Sequence, residues 1–130
     1  MVASKVRVGI VGGGRTGTPL LQDFLDRPFI EVVGVADVDA ESPGAKLARD
    51  NGVEFTTDAL QLAARGDDVD LLIEVSGDAS LKPKIKEAYV QQGNKHTIIA
   101  HDLVARLIIS LVEGSDTLID TYHPQDNGVG

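Results

Sequence analysis

The chain has 130 residues, 42% of them hydrophobic, and a formal net charge of −8. That length builds one domain with a real core, and the acidic balance argues against general binding to nucleic acid or anionic membrane. No cysteine is present, which excludes disulfides, thiolate metal sites and a cysteine nucleophile.

The N-terminal MVASKVR lacks the apolar region of a signal peptide. The longest apolar candidate, Thr97 to Val112, is interrupted by His101, Asp102 and Arg106 and does not reach spanning length. A soluble cytoplasmic protein without a membrane partner is expected.

Val6, Val8, Ile10 and Val11 predict a buried first strand. Gly12, Gly14 and Gly17 follow at once at G-x-G-x-x-G spacing, and Thr18 to Arg27 reads as a helix with Pro19 in its first turn and Pro28 as its stop. A second strand is expected over Ile30 to Ala36, ending at Asp37. Ser42 and Pro43 read as cap and first residue of a helix stopped by Gly52. A short third strand, Val53 to Phe55, leads to a helix started by an Asp58–Gln61 capping box. Asp70 to Val75 is the fourth strand, with Ser76, Gly77 and Asp78 as the loop at its end. Ser80 is the expected cap of a helix that Gly93 stops. Thr97 to Ala100 is the fifth strand, and Asp102 is expected to cap a helix running to Glu113. Leu118 to Tyr122 offers a sixth strand, and His123 to Gly130 shows no clear element.

Strands alternating with helices predict an α/β fold: a Rossmann-like doubly wound parallel sheet, order 3-2-1-4-5 with an optional sixth strand, and helices on both faces. One dinucleotide-binding domain is expected over residues 1–130, with 1–4 and 124–130 as flexible or subunit-contact ends. Ligands in such sheets bind beyond the carboxyl ends of the strands. Those ends would offer the glycine turn, Asp37, Ser76–Asp78 and His101–Asp102 to one crevice.

The chemistry follows from the spacing. Gly12 allows a tight turn, Gly14 lets a pyrophosphate approach the backbone, and Gly17 lets the helix pack closely on the strand. The helix N-terminus presents N–H groups to phosphate. Asp37, twenty positions after Gly17, is placed to accept from the adenosine ribose hydroxyls and to repel a 2′-phosphate. Val38 follows it, where an NADP reader often offers arginine, so NAD is expected as the cofactor. A plain strand-end turn, with Asp39 as the ligand, is the alternative.

The stretches KVRVGIVGGGRTG, VVGVADVD, AKLARDNGVEFTTD and DVDLLIEVSGD resemble the N-terminal domain of the glucose–fructose oxidoreductase and inositol dehydrogenase family, over roughly Lys5 to Asp78. The resemblance implies an NAD(P)-binding domain. It implies Gly12, Gly14, Arg15 and Thr16 at pyrophosphate and Asp37 at ribose. It also implies Thr56, Thr57 and Asp58 near adenine, and Ser76 and Gly77 beside nicotinamide. Two departures stand out. The family usually carries a Glu-Lys-Pro motif after the fifth strand, where this chain reads Ala100-His101-Asp102-Leu103. It also adds a mostly β substrate domain, for which 130 residues leave no room.

His101 is the one candidate general acid or base, at the end of the fifth strand. His96 and His123 complete no ligand spacing with it, so no metal site is expected. The last helix carries a wide apolar face, Leu103, Val104, Leu107, Ile108, Leu111 and Val112. It predicts a homodimer through the last helix and tail, unless the tail covers that face. The leading expectation is an NAD-binding module that senses or regulates, with a fused or separate signalling or substrate domain as partner. The alternative is a dehydrogenase completed by another subunit.

Overall fold

The computed structural model describes residues 4–124. Five parallel strands, β1 (Val6–Val11), β2 (Ile30–Ala36), β3 (Phe55–Thr56), β4 (Leu71–Glu74) and β5 (Ile98–Ala100), form one sheet in the order β3-β2-β1-β4-β5. The expected α/β architecture and strand order therefore hold. Between the strands run α1 (Gly17–Leu25), α2 (Pro43–Asp50), α3 (Ala59–Ala63) and α4 (Leu81–Gln91), and α5 (Asp102–Glu113) follows β5.

Both sheet faces are covered, which is why the strands read as apolar runs rather than as alternation. Val8, Ile10, Val35 and Ile73 pack with Leu20, Leu21 and Phe24 of α1, Ala48 of α2 and Ala105 and Ile109 of α5. Val11, Ala36 and Leu72 face Leu62 and Ala63 of α3 and Ile85 and Tyr89 of α4. Ile10, Ile73 and Leu72 have no exposed surface, and each such side chain contributes about 1.5–3 kcal/mol by burial. No helix among the described residues is long and apolar enough to cross a membrane.

Several local expectations need correction. Leu118 to Tyr122 is not a sixth strand, because its backbone and side chains bond to α5 instead of to β5. Ser80 makes no cap bond; Asp78 accepts from both its N–H and its hydroxyl. The cap position of α5 is His101, without a side-chain bond, and Asp102 lies inside the first turn. Asp58 does cap α3, through Leu60 N–H, but Gln61 accepts from the Thr56 hydroxyl and does not close the box. The expectation for the chain ends falls almost wholly outside the described residues.

The edge of the sheet opposite the strands' carboxyl ends is closed by ions. Asp70 accepts from the backbone and guanidinium of Arg7, and its Oδ1 lies 2.6 Å from His96 Nε2. The Arg7 bonds and His96 hold the Asp70 carboxyl well below the usual carboxylate range. His96 is thus on the far edge from the crevice, as its position before β5 predicts.

Candidate functional site

A cleft of about 430 Å³ opens at the carboxyl ends of β1, β2 and β4. The glycine turn forms its floor. Gly12 leaves β1 at φ +113, a left-handed-side conformation that L side chains rarely adopt. Its N–H still reaches Ala36 O at 2.7 Å, so β1 and β2 stay joined up to the turn. The Gly13 carbonyl accepts from Thr18 Oγ1 and from Gly44 N, both at 2.9 Å, tying α1 and the start of α2 to the turn. Gly17 begins α1 directly against the Gly12 carbonyl, and a Cβ there would overlap that oxygen outright.

The backbone N–H groups of Gly14, Arg15 and Thr16 find no acceptor among the described residues. A Cβ built on Gly14 would meet nothing within 4 Å. Unused donors at a helix N-terminus, beside an open approach and the Arg15 guanidinium, suit a pyrophosphate. The residues present fit a dinucleotide.

Asp37 stands on the β2 side. Its Oδ2 accepts from Gly13 N at 2.6 Å and its Oδ1 from Asp39 N at 2.9 Å. The carboxylate is thereby fixed to the phosphate turn while still lining the cleft. Asp39 instead accepts from Glu41 N and does not line the cleft. Val38 is 87% exposed on the same wall. Thr57, Asp58 and Ala59 continue it, whereas Thr56 belongs to a separate small pocket with Gln61.

On the β4 side, Ser76 and Asp78 line the cleft. The two bonds from Ser80 hold the Asp78 carboxyl below its usual range. Beneath Ser76 lies Glu74, with no exposed surface. Its Oε1 accepts from the Ser76 N–H and hydroxyl, and its Oε2 lies 3.5 Å from His101 Nδ1. Neither ring nitrogen of His101 has a hydrogen-bond partner among the described residues.

Of the residues expected at the site, Gly12, Gly14, Arg15, Asp37 and Ser76 share the cleft wall. Thr16 and Gly17 are buried and do not line it, Gly17 supporting the turn from below. Gly77, at φ +80, lies directly under the His123 ring. His101 corrects the expectation that it faces the crevice: its side chain is only 10% exposed and turns to Glu74. Sequence reasoning passed over Glu74, Tyr122 and His123. An acid inside the apolar run DLLIEV was a signal for Glu74. No local signal marks Tyr122 or His123, because the return of the tail brings His123 to the cleft and Tyr122 against Arg15.

A parallel sheet in this order, with a glycine turn at the first strand's end and an acid at the second's, defines an NAD(P)-binding Rossmann domain. The oxidoreductase family with an NAD-binding Rossmann fold (Gfo/Idh/MocA) matches residues 6–110, and the chain belongs to that family. Among curated relatives, acetaldehyde dehydrogenase of Chloroflexus aurantiacus is 31% identical over 104 residues, covering 79% of this chain and 32% of that protein. Acetaldehyde dehydrogenase 2 of Salinispora arenicola is 38% identical over 72 residues, or 55% of this chain and 24% of that one. The chain spans about a fifth to a third of the curated relatives it matches. Among solved structures, myo-inositol dehydrogenase of Corynebacterium glutamicum superposes with a TM-score of 0.59 at 22% identity, over 85% of this chain and 33% of that one. The scyllo-inositol dehydrogenase of Lactobacillus casei with bound NAD(H) and scyllo-inositol also gives 0.59, at 18% identity, with the same coverage. These likenesses concern the fold.

Proposed function

We propose that this chain binds NAD(H) and reports it, as a sensing or regulatory domain, without completing a hydride transfer by itself. The observation that carries the reading is Asp37, a carboxylate held on Gly13 N–H at the wall of a cleft whose floor offers unused N–H groups. The carboxylate accepts ribose hydroxyls and opposes a 2′-phosphate by like charge; Val38 beside it supplies no cation to offset that. NAD is therefore preferred over NADP. The absence of the family's lysine from Ala100-His101-Asp102-Leu103, with His101 turned inward, supports binding over catalysis.

Calorimetric titration with NAD, NADH, NADP and NADPH tests this. Asp37→Ala is expected to weaken NAD by roughly tenfold or more, the scale of one charge-assisted hydrogen bond, and to remove its advantage over NADP, whose 2′-phosphate no longer meets a like charge. No binding of any of the four at millimolar ligand refutes the proposal.

The second reading is a dehydrogenase completed by another subunit or domain. It is favoured by relatives named dehydrogenases over this same stretch. Steady reduction of NAD by the purified chain with sugars, polyols, hydroxy acids or acetaldehyde would establish it.

We also propose that α5 pairs with α5 of a second copy. Leu103, Leu107 and Leu111 are 62%, 50% and 70% exposed at helical spacing, so the described part of the tail does not cover this face. Sedimentation equilibrium is expected to show a dimer that Leu107→Glu converts to monomer; a wild-type monomer at all concentrations overturns this.

A further inference from the structure

The segment after α5 is tied down by an unusual set of polar groups. Asp102, Arg106 and Ser110 lie four residues apart along one face of α5. Asp102 and Ser110 are 4% and 6% exposed, and buried polar groups of this kind require partners. Ser110 Oγ donates to Arg106 O within α5, and the returning tail supplies further partners. Ile119 N donates to Ser110 Oγ at 3.0 Å, and Arg106 Nε donates to Ile119 O at 2.9 Å. The Thr121 hydroxyl donates to Asp102 Oδ2 at 2.7 Å, and His123 N donates back to Thr121 Oγ1 at 3.0 Å.

These bonds run from the end of α5 to its start, so they carry the tail to the strands' carboxyl ends. Tyr122 then lies under the Arg15 guanidinium, 4.3 Å from carbon to ring centroid. His123 lies on Gly77, where any side chain would collide with its ring, and it lines the cleft with Gly12, Ser76 and Asp78. Among the described residues, the cleft otherwise holds Asp37, Asp58 and Asp78 against one cation, Arg15. Arg15 supplies side-chain positive charge beside the unused N–H groups of the turn, and its guanidinium stacks on the face of Tyr122.

We propose that the tail, Leu118–His123, is a working part of the dinucleotide site: Tyr122 positions Arg15 for the pyrophosphate, and His123 forms the end wall against the nicotinamide half. This rests on the dinucleotide reading above. Thr121 and Ile119 act only by holding these two rings in place.

The test compares NAD with ADP-ribose, which lacks nicotinamide, by calorimetric titration of the whole chain. Tyr122→Ala is expected to weaken both ligands equally, by about fivefold to tenfold. Tyr122→Phe, which keeps the ring face, restores most of that loss. His123→Ala weakens NAD and leaves ADP-ribose at wild-type affinity. A measurement without substitutions accompanies these: the chain has three histidines, and NAD is expected to shift the His123 ring proton signals but not those of His96. Wild-type binding of NAD, with both alanine variants at wild-type affinity and no His123 shift, overturns the role of the tail alone. Failure of the wild-type chain to bind either ligand overturns the dinucleotide reading and this inference together.

Discussion

Gly17→Ala is expected to lower folding stability by about 3 kcal/mol or more and to abolish dinucleotide binding. The added methyl meets the Gly12 carbonyl oxygen, a backbone atom in a turn already bonded to β2. Overpacking costs about 1–3 kcal/mol when side chains can yield; here the yielding element is the phosphate turn itself. Against a typical total of 5–15 kcal/mol the loss is large. Gly14→Ala is the informative contrast. A Cβ there meets nothing, so stability should stay within about 0.5 kcal/mol of wild type, while NAD affinity falls because the methyl stands where the pyrophosphate approaches. Urea unfolding and NAD titration of the two variants check this. Equal stability in both, or full NAD affinity in Gly14→Ala, contradicts the assignment of support to Gly17 and approach to Gly14.

The second large effect is expected at the buried pair under Ser76. His101→Leu should destabilise the chain by about 1–3 kcal/mol, since Glu74 Oε2, buried and without a hydrogen bond among the described residues, loses the polar imidazole 3.5 Å away. Glu74→Gln/His101→Leu should recover at least half of that loss. The glutamine carbonyl still accepts from Ser76 N–H, and no ionisable group is left beside the leucine. Urea midpoints of the two variants and the wild type decide the matter. A double variant no more stable than His101→Leu would show that the pair is not coupled.

Much of the architecture was legible in the residues because its signals are local. β-branched runs predict buried strands, and a glycine spacing predicts the turn. Alternation of strand and helix predicts a parallel sheet with crossovers. The strand order and the cleft wall formed by Gly12, Gly14, Arg15, Asp37 and Ser76 follow from those rules. Short-range capping was less legible. Ser80 and Asp102 both have the chemistry of a cap, but Asp78 and the tail compete for them in three dimensions.

By itself, then, the sequence determined the fold class, the position of the glycine turn and the acid at the end of the second strand. Each depends on neighbours a few residues apart or on a spacing of about twenty. Tertiary structure decided the roles of His101, Glu74 and the tail. His101 is on the expected strand end, but its orientation depends on Glu74, twenty-seven residues earlier. Leu118–Tyr122 has strand composition, yet the buried Asp102 and Ser110 hold it against α5 instead. A strand-like pattern states only that a segment can be extended; the buried polar groups of α5 decided what it pairs with, and so brought His123 to the cleft and Tyr122 against Arg15.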